Sequence, residues 1–247
     1  LQELAANGAS PNAFTSNAIT GYYFESTEKF EENLRILLSF VSIPYFTKES
    51  VDKEQGIIGQ EIGMIEDDPD WVVFMDLMQA LYEKHPVRVS VAGSAESISH
   101  ITAETLYACH KAFYDPSNMV LCVAGDVDPE KICQAAREIL PERPGAPVAR
   151  GDYGAQEPAE VCQPMIQREM EVSVPLFQLG FKGEAAPEGE GALRQQLLGE
   201  LACEALLGNS GPLYARLYRE GLVNRNFSYG YESYPGCAFL CAGGESK

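Results

Sequence analysis

The sequence predicts a mixed α and β protein in which sheets pack against helices. Three observations support this fold class. Several segments repeat apolar residues with the period of an α-helix, and the chain ends in two adjacent strand-like segments joined by a short turn. Between these parts, residues 141–165 are rich in proline and glycine and have no period, which is typical of a linker. We therefore expect one domain over residues 1–140 and the beginning of a second over 166–247.

The first domain is expected to alternate short strands with longer helices. Its start signals are Ser26 or Thr27, Asp68 before Pro69, Thr102, and Asp128, all residue types that cap helices. Gly8 is expected to end the first helix in a left-handed conformation. In order, we predict a helix over 1–7, strands over 13–16 and 20–26, helices over 28–43, 48–66, 69–83 and 103–113, a strand over 119–125 and a helix over 129–140.

The second part repeats the local order of the first. We predict one or two strands within 166–181, helices over 190–207 and 211–220, and a hairpin of strands over 226–232 and 236–242. Near both ends of the chain a helix is followed by glycine and then by two strands rich in aromatic residues. The order indicates an internal repeat, although helix-turn-strand units also resemble one another by chance.

Composition and charge exclude several partners. The net charge is −18, from 18 basic against 36 acidic residues, which argues against nucleic acid and against an anionic membrane surface. Seven cysteines, an odd number without a CxxC pair, favour a reducing compartment, so we expect a cytoplasmic protein. No apolar run is long enough to span a membrane. The chain opens on Leu1 within a helical pattern, so we expect a fragment of a longer protein.

Two carboxylates dominate the predicted helix over 48–66. Glu54 and Glu61 lie seven residues apart, so they project from one face two turns apart, with Ile57 and Ile58 between them. Burying an ionised carboxylate without a partner is costly, so their apolar surroundings predict a partner for each. The alternative is a solvated face with ordinary helix carboxylates.

The three histidines do not form a recognisable site. His85 precedes a proline, His100 lies in a serine-rich turn, and His110 lies on a helix without a second histidine four residues later. We expect surface or packing roles for them.

Three blocks of sequence, in order, carry a family resemblance. They are GASPNAFTSNAITGYYFES, PYFTKESVDKEQGIIGQEIGMIEDDPDW and HPVRVSVAGSAESISHITAETLYACHKAFYDPSNMVLCVAGDVDPEKI. The chain resembles the pitrilysin/insulinase family of inverted zinc peptidases and is closest to its bacterial predicted zinc peptidases, with GPLYARLYREGLV extending the match. The resemblance implies an α+β fold: a two-layer αβ domain, with an antiparallel-dominated sheet and helices on one face, followed by the start of a second related domain.

The resemblance also implies a metal site. Members of this family hold Zn²⁺ through an H-x-x-E-H motif, in which two histidines are ligands and the glutamate is the general base. A later glutamate is the third ligand, and Glu61 matches it. Glu54 matches an acid that supports the site without binding the metal. Asn12, Ala13 and Phe14 match an edge strand that receives an extended peptide substrate, although a plain core strand that buries Phe14 is the alternative.

The chain departs from the family pattern at one important place, because it contains no H-x-x-E-H. We expect that motif upstream of Leu1. The predicted function is therefore a fragment of a zinc-dependent metalloendopeptidase, in which zinc-activated water attacks the scissile amide. The fragment is expected to be inactive and metal-free alone, and to need the remaining segments of the same protein or a paired family subunit. The alternatives are a non-catalytic binding or scaffold subunit of the family and an acidic αβ domain of unrelated role.

Overall fold

A computed structural model of the chain describes residues 2–140, 157–187 and 189–246. These residues divide into two compact units. Residues 2–58 with 95–140 form the first unit, and residues 59–94 with 157–187 and 189–246 form the second. Residues 141–156 of the predicted linker lie outside the described residues, and the predicted domain boundaries stay a prediction.

The described residues form helices and two small antiparallel sheets, which confirms the α+β class. The helices are α1 (Gln2–Ala6), α2 (Phe30–Ser42), α3 (Lys48–Glu66), α4 (Pro69–Leu81), α5 (Ala95–Ser99), α6 (Ala103–Phe113), α7 (Pro129–Ile139), α8 (Glu190–Leu207) and α9 (Pro212–Arg219). The strands are β1 (Ser10–Thr15), β2 (Thr20–Glu25), β3 (Leu176–Gly183), β4 (Ser228–Tyr234) and β5 (Cys237–Glu245). None of these helices is both long and apolar enough to cross a membrane.

In the first unit, α2 packs against α7 and against the β1–β2 hairpin. The buried side chains of Leu34, Leu38 and Ala135 form the centre of this contact, because each lies on the apolar stripe of its helix. The start of α2 differs from the prediction. Lys29, in the left-handed conformation with φ 52°, precedes the first helical residue, and neither Ser26 nor Thr27 caps the helix.

In the second unit, β5 lies at the centre of a three-stranded sheet in the order β3-β5-β4. Side chains alternate between the two faces of a strand, so Phe239 and Tyr231 belong to opposite faces. From the 166–247 segment, α8 packs on the face of Tyr231. Helix α4, from earlier in the chain, covers the other face through Met78 and Leu81, and the Tyr82 hydroxyl donates to the Ala238 carbonyl at 2.7 Å.

Start signals in the sequence place several helices correctly. The side chains of Asp68, Thr102 and Asp128 accept hydrogen bonds from backbone N–H groups in the first turns of α4, α6 and α7. The end of α4 is less well predicted, since the helix ends at Leu81 rather than at residue 83. The Tyr82 N–H still bonds to the Met78 carbonyl, but the N–H groups of residues 83–85 bond to the Glu157 carboxylate instead of extending the helix.

Two predicted strands are wrong in whole or in part. Residues 119–125 form no strand in the described structure, and Val120 is 91% exposed. A strand needs a neighbour for its backbone groups, and none of the described strands pairs with this apolar segment. Within 166–181, only the part from Leu176 onwards is a strand.

The order expected for the internal repeat occurs twice. Helix α1 is followed by Gly8 and then by β1 and β2, while α9 is followed by Gly221 and then by β4 and β5. Both glycines have positive φ, 79° and 69°. In each case the residue after the glycine donates a backbone hydrogen bond to the helix carbonyl five residues earlier, which closes the helix-ending turn. The Ala9 N–H donates to the Leu4 carbonyl, and the Leu222 N–H donates to the Leu217 carbonyl.

Candidate functional site

The uninterrupted helix α3 carries both predicted site carboxylates. Glu54 and Glu61 are exposed, and neither has an ion-pair or hydrogen-bond partner among the described residues. Ile57, between them, is 42% exposed. The expectation that an apolar environment requires a partner for these acids is therefore wrong, because the isoleucines beside them are themselves partly in solvent. Both carboxylates are accessible to a ligand from outside this chain.

The described residues do not bring a complete set of zinc ligands together. Within residues 2–140, 157–187 and 189–246, no three side chains of histidine, cysteine, aspartate or glutamate are grouped so that they could hold a metal ion. A catalytic zinc needs three protein ligands. Glu61 can supply at most one of them, so the residues present here do not fit a complete site.

Two of the three histidines have structural roles. The His85 side chain is buried; its Nδ1 accepts from the Val87 N–H at 3.1 Å, and its Nε2 donates to the Pro235 carbonyl at 2.9 Å. The His110 Nε2 donates to the Val41 carbonyl at 2.9 Å. These bonds explain the packing roles expected for these two side chains.

The predicted substrate strand is β1. It pairs with β2 along one edge, with Asn12 opposite Tyr23 and Ala13 opposite Tyr22. In the part of the chain that the structure describes, no strand pairs with its other edge. Phe14 is 54% exposed and lies over Gly21, where an added Cβ would come within 2.4 Å of the ring. Phe14 is thus a surface side chain that needs a glycine beneath it, and β1 is not a plain core strand.

The edge of β1 that does not pair with β2 has few free backbone N–H groups. Pro11 has no N–H, and the Ala13 N–H donates to Oδ1 of its neighbour Asn12 at 2.8 Å. Residues two apart in a strand direct their backbone groups to the same edge, and proline is tolerated where that edge is unpaired. A peptide added to this edge would therefore mainly donate its N–H groups to carbonyl oxygens of β1.

The first unit also contains a cavity of about 300 Å³ that was not predicted from the sequence. Four of its lining residues lie on α6 or at its C-terminal cap: Tyr107, His110, Lys111 and Tyr114. The spacing of these aromatic residues by three and four is visible in the sequence, and it could have indicated a common helix face.

Comparison with known families decides which family these features belong to. Residues 1–95 match the family model described as insulinase (peptidase family M16), and residues 100–247 match the model described as peptidase M16 inactive domain. The chain belongs to peptidase family M16. This confirms the resemblance to the pitrilysin/insulinase family and agrees with the α+β fold.

Curated relatives resemble the chain over most or all of its length. The uncharacterized zinc protease YmfH of Bacillus subtilis (strain 168) is 40% identical over 250 residues, covering 100% of this chain and 58% of the relative. A protein from Arabidopsis thaliana named probable mitochondrial-processing peptidase subunit beta is 25% identical over 186 residues, covering 75% of this chain and 35% of its own.

Solved structures support the same assignment to family M16. An M16-like peptidase from Alicyclobacillus acidocaldarius superposes with a TM-score of 0.91 at 34% identity, over 99% of this chain and 58% of that one. A protease from Helicobacter pylori, at 18% identity and a TM-score of 0.80 over 100% of this chain and 60% of its own, shows the fold alone. The chain thus spans about three fifths of these relatives.

Proposed function

We propose that this chain is part of a zinc-dependent peptidase of family M16 that hydrolyses peptides, and that Glu61 supplies one metal ligand. The observation that carries the proposal is the exposed, unpaired carboxylate of Glu61 on the regular helix α3, in a chain 40% identical to a protein named as a zinc protease. A carboxylate that is neither buried nor ion-paired needs no rearrangement before it binds a cation.

The remaining parts of the site come from outside this sequence. When bound, Zn²⁺ would polarise the scissile carbonyl and provide water of lowered pKa. Two histidine ligands and the general-base glutamate would belong to an H-x-x-E-H segment that this chain lacks. Glu54, on the same helix face as Glu61, would orient an imidazole ligand without binding the metal. The isolated chain is accordingly expected to show no peptidase activity.

The unpaired edge of β1 is the proposed substrate contact. An extended peptide would add to this edge beside Asn12 and Ala13, with the exposed ring of Phe14 packing against a substrate side chain. The support for this role is the missing strand partner among the described residues and the exposure of Phe14.

A second candidate function is a non-catalytic subunit that pairs with an active family member. The absence of H-x-x-E-H from this sequence favours it, as does the similarity to a relative named as a subunit of a processing peptidase. In this case β1 would hold a peptide or a partner strand without cleavage.

A comparison of variants in the complete gene product tests the first proposal. The unmodified protein should contain zinc and cleave unstructured peptides in a chelator-sensitive way. Glu61→Gln should lose zinc and activity together, and Glu54→Gln should reduce activity by roughly 10–100-fold, as expected for a residue that supports a ligand. Glu66→Gln, also exposed on α3, is the matched control and should retain both properties.

Two outcomes separate the candidates. If the complete product contains no H-x-x-E-H and cleaves nothing, the non-catalytic subunit is correct. If it cleaves peptides while Glu61→Gln changes neither zinc content nor rate, the assignment of Glu61 as a ligand is wrong.

We also propose a reducing, cytoplasmic location. All seven cysteines are free thiols, and four of them are exposed, a state that oxidising compartments do not preserve. Fractionation of the source cells would test this location.

A further inference from the structure

We propose that the cavity in the first unit binds a small carboxylate that carries an apolar or aromatic body. Its volume of about 300 Å³ lies at the lower end of the range of roughly 300–1,000 Å³ that is typical of small-molecule sites. The cavity is formed where the C-terminal end of α2 and the following Pro44 meet α6 and the turn at Pro116. All of these elements belong to the first unit.

The aromatic wall of the cavity is held in a fixed arrangement. The His110 ring stacks on the Tyr114 ring with centroids 4.7 Å apart and an interplanar angle of 14°. The His110 Nε2 donates to the Val41 carbonyl, and the Tyr114 hydroxyl is hydrogen-bonded to the Tyr22 hydroxyl at 2.6 Å. A wall fixed in this way loses little conformational entropy when a planar or apolar group packs against it.

Three hydrogen-bond donors at the cavity have no acceptor among the described residues. The Ser42 Oγ is buried without a hydrogen-bond partner in the described structure, although buried hydroxyl groups normally have one. The Tyr107 hydroxyl accepts from the Phe46 N–H at 3.0 Å, which leaves its own proton available. The Lys111 ammonium is exposed and makes no ion pair with the described residues. All three residues line the cavity.

The three donors at the cavity favour the binding of an anion over that of a cation or a neutral molecule. Lys111 is the charged group at the cavity, and none of the described lining residues is acidic, in a chain whose net charge is −18. A carboxylate has only acceptors, enough to satisfy the ammonium and both hydroxyls together. Pro44, Pro116 and the aromatic rings suit an apolar body attached to that carboxylate.

The direct test compares two ligands of the same shape on the 247-residue chain. The probes are 3-phenylpropionate and its neutral amide, 3-phenylpropanamide, with dissociation constants measured by calorimetry and ligand-observed NMR. The carboxylate should bind roughly tenfold more tightly than the amide, because hydrogen bonds between ionised groups are stronger than neutral ones. Equal affinity, or no saturable binding of the carboxylate at millimolar concentration, would overturn the proposal.

Lysine variants test whether the charge of Lys111 attracts the ligand carboxylate. Lys111→Gln should weaken 3-phenylpropionate roughly tenfold and leave the amide unchanged. Lys131→Gln is the matched control, since Lys131 is also exposed but lies on α7 and does not line the cavity. If both variants weaken the carboxylate equally, the effect comes from overall charge and the assignment of Lys111 is wrong.

The Ser42→Ala variant separates binding from folding. Because the Ser42 hydroxyl has no hydrogen-bond partner among the described residues, its removal should not lower the thermal midpoint, yet it should weaken the binding of 3-phenylpropionate by about three- to tenfold. A lower thermal midpoint with unchanged binding would show that the hydroxyl serves the fold, and would remove the buried donor on which the proposal rests.

Discussion

Replacing Glu157 by glutamine is expected to destabilise the second unit strongly at neutral pH and hardly at all near pH 2. The Glu157 carboxylate accepts hydrogen bonds of 2.8 Å from the backbone N–H groups of Glu83, Lys84 and His85 and from the Lys182 ammonium. Only 11% of the Glu157 side chain and 7% of the Lys182 side chain are exposed. Solvent therefore screens this ion pair little.

The magnitude follows from the pKa of this carboxyl. Burial would raise the pKa of Glu157, but the hydrogen bonds from Lys182 and the three amides outweigh burial and lower it from 4.5 to about 2. A fall of that size corresponds to on the order of 3 kcal/mol of stabilisation. Because the folded pKa lies below the unfolded one, this stabilisation is fully present above pH 4.5 and is lost as the pH falls towards 2.

Fluorescence of Trp71 provides the assay. It is the only tryptophan of the chain and lies on α4, in the same unit as Glu157. Urea unfolding is followed between pH 7 and pH 3 for the unmodified chain, Glu157→Gln and Glu160→Gln. The exposed Glu160 side chain serves as the control, because surface substitutions usually change stability by about 0.5 kcal/mol or less.

The pH dependence decides the outcome. The loss of stability in Glu157→Gln should be on the order of 3 kcal/mol at pH 7 and should shrink steadily below pH 4.5. A loss that is the same at pH 7 and pH 3, or no larger than that of Glu160→Gln, would refute the reasoning.

Three further substitutions test the packing and charge of the second unit. Gly199→Ala should destabilise the unit by about 1–3 kcal/mol, because the added Cβ would lie 2.3 Å from the Tyr231 ring. Gly63→Ala should stabilise it by about 0.5–1 kcal/mol through helix propensity, because an added Cβ there has nothing within 4 Å. Equal shifts of the thermal midpoint in the two variants would contradict this expectation. Asp76→Asn should lower the free energy of unfolding, measured in urea, by about 1–2 kcal/mol, because the buried Asp76 carboxylate accepts two hydrogen bonds from Arg168. The loss stays moderate because the Arg168 side chain is 55% exposed, so water partly replaces the lost partner. High salt should reduce the difference.

Local chemistry explains which elements could be predicted from the sequence. Thr102 and Asp128 announce helices because a side-chain oxygen bonds the N–H groups of the next turn. The segment 119–125 misled the prediction because its apolar residues satisfy the local pattern of a strand, whereas strand formation depends on a partner far away in sequence. The end of α4 was missed for the same reason, since Glu157 is distant in sequence from the amides that it binds.

The candidate site was predictable to a similar degree. The spacing of Glu54 and Glu61 fixes their common helix face, but their exposure depends on which elements pack nearby, and no local pattern supplies that information. The cavity illustrates the same limit. Tyr107 and Tyr114 reveal an aromatic helix face, while the orphaned hydroxyl of Ser42 enters from a different helix and becomes noticeable only in three dimensions.

The central position of β5 also affects how the second unit folds. Strands β4 and β5 are joined by the turn at Pro235 and Gly236, so their pairing is local and can form within about 1–10 μs, the time of a hairpin. Pairing with β3 must first close a long loop that contains α8 and α9. Until β3 docks, one edge of the apolar β5 strand would be open to other chains. Intermolecular pairing during refolding should therefore begin at this edge.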